Sequence, residues 1–321
     1  MLTVLVNLSG SIRKVPMIDP AWLKPESTAN VWVDLAAPTI EEASILKSMF
    51  HFHDLAVEDA LSESHHPKVE SYGAYLYVIL HGIDFEAAKH RFATHDTDFF
   101  IGPNYLVTVH DGTSRSIAEL RDICQRNEHV LANGPMALLH RIIDMMVDGY
   151  QPEVEKLSER LEQLEHQVFD EPNTNLVKPI LSLKRDVASL RRVVLPQRDV
   201  VSRLARREFA AISEPISYRF RDVYDHLVRL SDESMLFHDR LSSILDAHLT
   251  SVSTRLNQVM KVLTVIATIF MPLTMLSGMW GMNVPLPAFP GGEQLQFWWI
   301  VGIMVVVSAV MLWLFRRRSW I

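Results

Sequence analysis

No proline or glycine occurs between Ile216 and Met271, and apolar residues recur through that stretch in steps of three and four. Val223, Leu227, Leu230, Ser234, Phe237, Leu241, Ile244, His248, Val252, Leu256 and Val259 share one face of a helix. The pattern predicts a single helix from about residue 216 to residue 281, about 100 Å long at about 1.5 Å per residue. A soluble domain from a chain of 321 residues cannot bury such a length, whereas a stalk bundled with copies of itself can. Residues 262–280, at the end of this stretch, contain no charged side chain, enough to cross a hydrocarbon core of about 30 Å. Pro272 interrupts the hydrogen-bond ladder there, where bundled neighbours tolerate it. A second apolar run, 297–315, follows a short loop rich in Pro and Gly, so the chain ends in a membrane hairpin.

The roughly 260 residues before the membrane suffice for one or two soluble domains. Residues 1–135 read as a mixed α/β domain, with strands at 3–7, 31–35, 75–83, 98–101 and 105–110, most of them rich in β-branched or aromatic residues. A helix is predicted to start after Thr39, whose hydroxyl suits an N-cap and whose Glu41 and Glu42 suit the positive helix end. Residues 136–215 read as a helical hairpin. Its first arm, punctuated by Glu171-Pro172-Asn173, is expected to kink at Gly149 and Pro152. Its second arm, 175–207, is expected to kink or break near Val194–Leu195 because of Pro196. The stalk and first span (216–281), a loop (282–296), the second span (297–315) and a basic tail (316–321) complete an α+β chain.

The formal net charge of −7 argues against nucleic acid as a partner, which would favour a basic surface. Basic residues gather instead at Arg316, Arg317 and Arg318, after the second run. The loop 284–296 has no Lys or Arg and a single acid, Glu293. By the positive-inside rule both termini are expected in the cytoplasm and the loop outside, in the plasma (inner) membrane. The start, MLTVLVNLSGSIRK, lacks the basic opening and cleavage site of a signal peptide. Cys124, the single cysteine, excludes an intrachain disulfide and reads as a small buried apolar residue in a reducing compartment. No nucleophile motif and no glycine-rich phosphate loop occurs, so nothing points to an enzyme.

The run STRLNQVMKVLTVIATIFMPLTMLSGMWGMN, residues 253–283, resembles the membrane segment of the CorA-type divalent-cation channels. Their signature, Gly-Met-Asn at the outer end of the first membrane helix, stands here as Gly281, Met282 and Asn283. The segments WVDLAAPTIEEA and HDLAVEDALSESHHPKVE, and the LKRD…LRR…LPQRDV pattern of the hairpin, are also similar to the family, so the resemblance covers essentially the whole chain. It implies a homo-oligomer, pentameric in the family, that carries magnesium inward, with cobalt, nickel or zinc as other candidate ions and no cofactor. The ZntB branch of zinc transporters shares the fold and is the alternative, because the loop VPLPAFPGGEQLQ departs from the family's Met-Pro-Glu-Leu continuation. A two-span anchored sensor that conducts nothing is the rival from another class.

Magnesium gives up its water reluctantly, so an entrance selects it by holding the intact water shell with neutral carbonyl oxygens. A ring of Asn283 side chains and Gly281 carbonyls can do that. Below it, Asn257, Met260, Thr264, Ala267, Met271, Thr274 and Gly278 keep to one stripe of the helix, with Leu263 beside it. The resemblance implies that Asn257, Leu263, Met271 and Thr274 line the path. Leu263 and Met271 would be apolar constrictions that gate by dewetting. The resemblance also implies a regulatory cation held between Asp59 and Asp246 across a subunit boundary, with Glu58, Asp222 and Glu63 as further candidates. Facing carboxylates repel, and a divalent ion converts the repulsion to a clamp. His51, His53, His65 and His66, near Asp54, lack ligand spacing and read as surface-loop residues.

Overall fold

The computed structural model describes residues 1–8, 10–24, 26–62, 66–86, 91–127, 129–170, 176–282, 293–318 and 320. These divide into two units, Met1–Leu245 and Asp246–Ile321. In the first, a seven-stranded sheet runs in the order β2-β1-β3-β7-β6-β5-β4. Its strands are β1 (Leu2–Leu8), β2 (Ser11–Val15), β3 (Asn30–Ala36), β4 (Lys68–Ser71), β5 (Leu76–Glu86), β6 (Arg91–Ile101) and β7 (Tyr105–His110). Only β3 and β7 pair in parallel among these neighbours. β2 and β4, the two edges, were not expected from the sequence, and β6 is longer than the 98–101 predicted. The other four expected strands are present.

One sheet face, carrying Val31, Val33, Tyr77, Ile79, Phe100 and Val107, packs on α1 (Ile40–Ser48) and α2 (Asp54–Leu61) through Leu46, Phe50, Phe52, Ala56 and Val57. The start of α1 is the predicted one. The Thr39 hydroxyl accepts from the Glu42 amide at 3.2 Å, and the Glu42 carboxylate accepts from the Thr39 amide at 3.0 Å. The opposite face meets α3 (Arg115–Arg126), α4 (His129–Ala132) and α5 (Pro135–Asp148). A polar knot is buried on that side. Thr108 donates to Asp34 at 2.8 Å and accepts from the Trp32 indole at 3.1 Å, while His110 and Arg121 reach Asp34 at 3.0 and 3.2 Å. Thr108→Val keeps the shape but strands the indole N–H and removes one bond from the carboxylate. It is expected to cost about 2 kcal/mol, within the usual range for an unsatisfied buried group, seen as a lower urea midpoint by tryptophan fluorescence. An unchanged midpoint would show that the knot does not hold the sheet.

The first hairpin arm breaks fully where a kink was expected. α5 ends at Asp148, Gly149 and Tyr150 intervene, and α6 (Gln151–Asp170) begins with Pro152 at its second position, where no amide is required. The break is tied to the sheet. The Tyr150 phenol donates to the His81 carbonyl at 2.6 Å, the Gln197 amide donates to that phenol, and the His81 amide donates to the Gln197 carbonyl at 3.3 Å. α7 (Val177–Ala205) runs through Pro196 without a break. The carbonyl that loses its amide partner there is that of Arg192, which is exposed and can bond water.

A single helix, α8, spans Glu214–Trp280, 67 residues, close to the predicted bounds. Within the first unit Arg240 grips Glu165 of α6 at 2.6 and 3.1 Å, and Lys184 of α7 donates to Ser242 at 3.0 Å. The predicted stripe is buried from Val223 to His248; its continuation at Val252, Leu256 and Val259 is exposed. The second unit holds the rest of α8 and α9 (Glu293–Arg317). Both helices are long and apolar enough to cross a membrane. Trp298 and Trp299 lie near one end of α9, and Trp313 near the other, its ring 5.4 Å from the Arg317 guanidinium.

Candidate functional site

Within the second unit, α8 has one sheltered face. Val265 is buried, and Ile269, Pro272, Leu273, Leu276 and Trp280 are half-buried, at steps of one to four that keep them together. At about 100° per residue, the line through Met260, Ala267, Met271 and Gly278 lies about 180° from that face. All four residues are exposed in the single chain. Thr264 and Thr274 flank the line closely, while Asn257 and Leu263 stand on its two borders, each about 60° from the centre. The helix therefore brings the predicted path residues onto one broad surface and puts Met271 at its middle. Met271 is 76% exposed and Leu263 65%, large apolar side chains left mostly uncovered by their own chain.

The hydroxyls on this surface are turned to the helix's own backbone. Thr264 donates to the Met260 carbonyl at 2.7 Å, and Thr274 to the Phe270 carbonyl at 2.7 Å. With the proton used inward, each oxygen presents only lone pairs outward, a surface that welcomes cations and their water and offers anions nothing. Gly278 has space around it, since an added Cβ would meet nothing within 4 Å. Among the described residues no contact demands a glycine there. At the end of α8 the Gly281 amide bonds the Ser277 carbonyl at 2.9 Å, and Met282 is exposed. Asn283 lies outside the described residues, as do Glu63 and His65.

The proposed regulatory acids occupy different places. Glu58 and Asp59 are neighbours on α2; Glu58 is exposed and Asp59 is half-buried. Asp59 accepts from the Lys68 ammonium at 2.7 Å, and the same ammonium lies 3.2 Å from Glu70 and 5.4 Å from the centre of the Tyr77 ring. Behind it, Tyr77 donates to the buried Asp98 at 2.5 Å. Burial, helped by the negative charges of Asp96 and Asp59, pushes the Asp98 carboxyl up to about 7, against the bond from Tyr77. Asp222 is exposed on α8, and its charge, after burial and Asp144, helps raise the Asp148 carboxyl above the usual range. Asp246 opens the second unit and is exposed, its carbonyl taking the Thr250 hydroxyl at 2.8 Å. Among the described residues no group of three or more His, Cys, Asp or Glu is arranged to hold a metal. His53 is the N-cap of α2, its ring accepting from the Leu55 amide at 3.2 Å. Lys68, the partner of Asp59, went unnoticed in the sequence; the acid and the base are nine positions apart on different elements, with no periodicity to link them.

The family model described as CorA-like Mg2+ transporter protein matches residues 27–317. The cobalt/magnesium transport protein CorA of Thermotoga maritima is 30% identical over 304 residues, 92% of this chain and 85% of that protein. The structure of the CorA magnesium transporter from Methanocaldococcus jannaschii has a TM-score of 0.85 to this chain at 24% identity, covering 100% of this chain and 99% of that one. The ZntB cytoplasmic domain from Vibrio parahaemolyticus reaches a TM-score of 0.62 at 15% identity, over 78% of this chain and 98% of that one, a likeness of fold alone.

Proposed function

The chain belongs to the CorA-like Mg2+ transporter family, and from that premise we propose that it is a magnesium channel built from several copies, five by resemblance to the family. The observation that carries this is the surface of α8 opposite its sheltered face. It is exposed in the single chain, continuous from Asn257 to Gly278, and made of apolar side chains, inward-bonded threonines and a glycine with open space around it. Copies arranged around an axis would turn these surfaces toward one another, giving constrictions at Leu263 and Met271, acceptor oxygens at Thr274 and Asn257, and the Gly281-Met282-Asn283 entrance outside. Both termini would lie in the cytoplasm, in keeping with Arg316–Arg318 after α9. Uptake then requires no chemical energy, because two charges moving inward gain about 4.6 kcal/mol per 100 mV.

Cysteine substitution separates this surface from the rest of the helix. A hydrophilic thiol reagent is expected to block flux through Met271→Cys and Thr274→Cys, and to leave Val265→Cys and Ile269→Cys unaffected. The native Cys124 is no competitor, since it is buried and its thiol is pushed up to about 11. Block at Val265→Cys and Ile269→Cys, with none at Met271→Cys and Thr274→Cys, would put the path on the other face.

For regulation, Asp59 and Asp246 of adjacent copies are proposed to share a magnesium ion in the closed state. Their carboxylate oxygens are hard donors of the kind magnesium takes, and both side chains retain access to solvent. Glu58, the neighbour of Asp59 on the same helix, is proposed as a further ligand, and Asp222 as the alternative on α8.

A further inference from the structure

We infer that Lys68 is a built-in competitor for the regulatory cation, its ammonium setting the magnesium concentration at which the channel closes. This rests on the reading of Asp59 as one ligand of the regulatory ion. The ammonium is held from three sides: by Asp59 of α2 at 2.7 Å, by Glu70 at 3.2 Å, and by the Tyr77 ring at 5.4 Å. Lys68 and Glu70 are two apart on β4, so they project to one face of that strand. Glu70 is itself fixed by the Tyr72 phenol, which donates to it at 3.1 Å.

A lysine on an edge strand often serves only to keep other strands away. In that role the ammonium reaches into water. Here it is turned back onto two carboxylates and only 30% of the side chain is exposed. An ion that binds Asp59 has to displace this ammonium or share the carboxylate with it. The Lys68 ammonium offsets one of the two negative charges that Asp59 and Glu70 offer a divalent ion. The ammonium therefore lowers the affinity of the site for magnesium.

The test uses the full chain in lipid nanodiscs, titrated with magnesium chloride at constant ionic strength. The magnesium midpoint is read from protection of the stalk against limited proteolysis, and separately from flux. Lys68→Met keeps the aliphatic stem against Tyr77, and Lys68→Gln keeps a polar end; either serves if the other fails to assemble. Both are expected to move the midpoint to lower magnesium by about fivefold or more, the lower end of ordinary coupling between sites. Lys68→Arg is expected to stay near wild type. In an Asp59→Asn background the effect of Lys68→Met is expected to vanish. If Asp59→Asn raises the midpoint while Lys68→Met leaves it alone or raises it too, Lys68 is a structural pair and the inference fails with the Asp59 site intact. If Asp59→Asn leaves the midpoint unchanged, the regulatory site itself is misplaced and the inference falls with it.

Discussion

Asn283→Ala is expected to lower magnesium flux by about a hundredfold, equivalent to about 2.7 kcal/mol of barrier at 1.36 kcal/mol per tenfold. The amount and size of the assembled protein should not change. The argument is chemical. A hydrated magnesium ion reaches the entrance with its waters polarised, and each water donates strongly to a neutral carbonyl oxygen. Hydrogen bonds of this charge-assisted kind contribute about 1.5–3 kcal/mol each, and the substitution removes one from every copy around the axis. Alanine deletes only the carboxamide end of the side chain, so the loss reports on the carbonyl acceptor itself. Wild-type flux through a correctly assembled Asn283→Ala protein would remove the entrance from Gly281-Met282-Asn283.

The second large effect is on gating. Asp246→Ala is expected to stay open at magnesium concentrations that close the wild type, with the midpoint raised about 5- to 150-fold, the span of an ordinary coupling free energy of about 1–3 kcal/mol. A ligand shifts a conformational equilibrium only through its differential affinity for the two states. Deleting one of two carboxylates reduces that difference and leaves the open state untouched. Asp246 is exposed, Thr250 bonds its backbone carbonyl, and its side chain has no hydrogen bond or ion pair among the described residues, so it can be lost at little structural cost. Magnesium-dependent protection of the stalk should weaken in parallel with closure. A midpoint equal to wild type, with protection retained, would move the site, and Asp222 is the next position to examine.

Much of this arrangement is legible from sequence because it rests on long periodic signals. The run from Ile216 to Met271 contains no residue that stops a helix, and α8 follows it from Glu214 to Trp280. The change in its surroundings is less visible. Val252, Leu256 and Val259 continue the same stripe as Leu241 and Ile244, yet they are exposed while the earlier residues are buried. Periodicity tells which face is apolar and leaves unsaid what covers it. The edge strands escaped notice for a different reason. β2 and β4 are short and half-exposed, and Lys68, Glu70, Arg13 and Lys14 do not read as strand residues. In β6 the residues before Asp98 do not read as a strand, but Arg91–Asp96 pair with β5, and Thr97 and Asp98 pair with β7 as well. The His81–Asp96 pair at 3.2 Å and the Tyr77–Asp98 bond supply partners for its acids.

The candidate site divides along the same line. The path stripe lies on one helix, so spacing alone places Met260, Ala267, Met271 and Gly278 together. The regulatory acids come from separate elements, and nothing local in the sequence says that Asp59 faces Lys68 or that Asp222 keeps company with Asp144 and Asp148. The proline expectations show the limits of a local rule. Pro196 does not break α7: the carbonyl it frees belongs to Arg192, an exposed residue where water can take the place of the lost amide.

The purified protein in liposomes, with an inside-negative potential and a fluorescent reporter of internal magnesium, tests the central claim most directly. Cobalt, nickel and zinc are compared under the same potential, each with and without a pH gradient. Magnesium is predicted to enter at a rate that rises with the potential and does not respond to the pH gradient. Zinc entry that depends on the pH gradient, with no movement of magnesium, would assign the chain to zinc transport. The absence of flux for every ion would leave a membrane-anchored protein that conducts nothing, and would contradict the account.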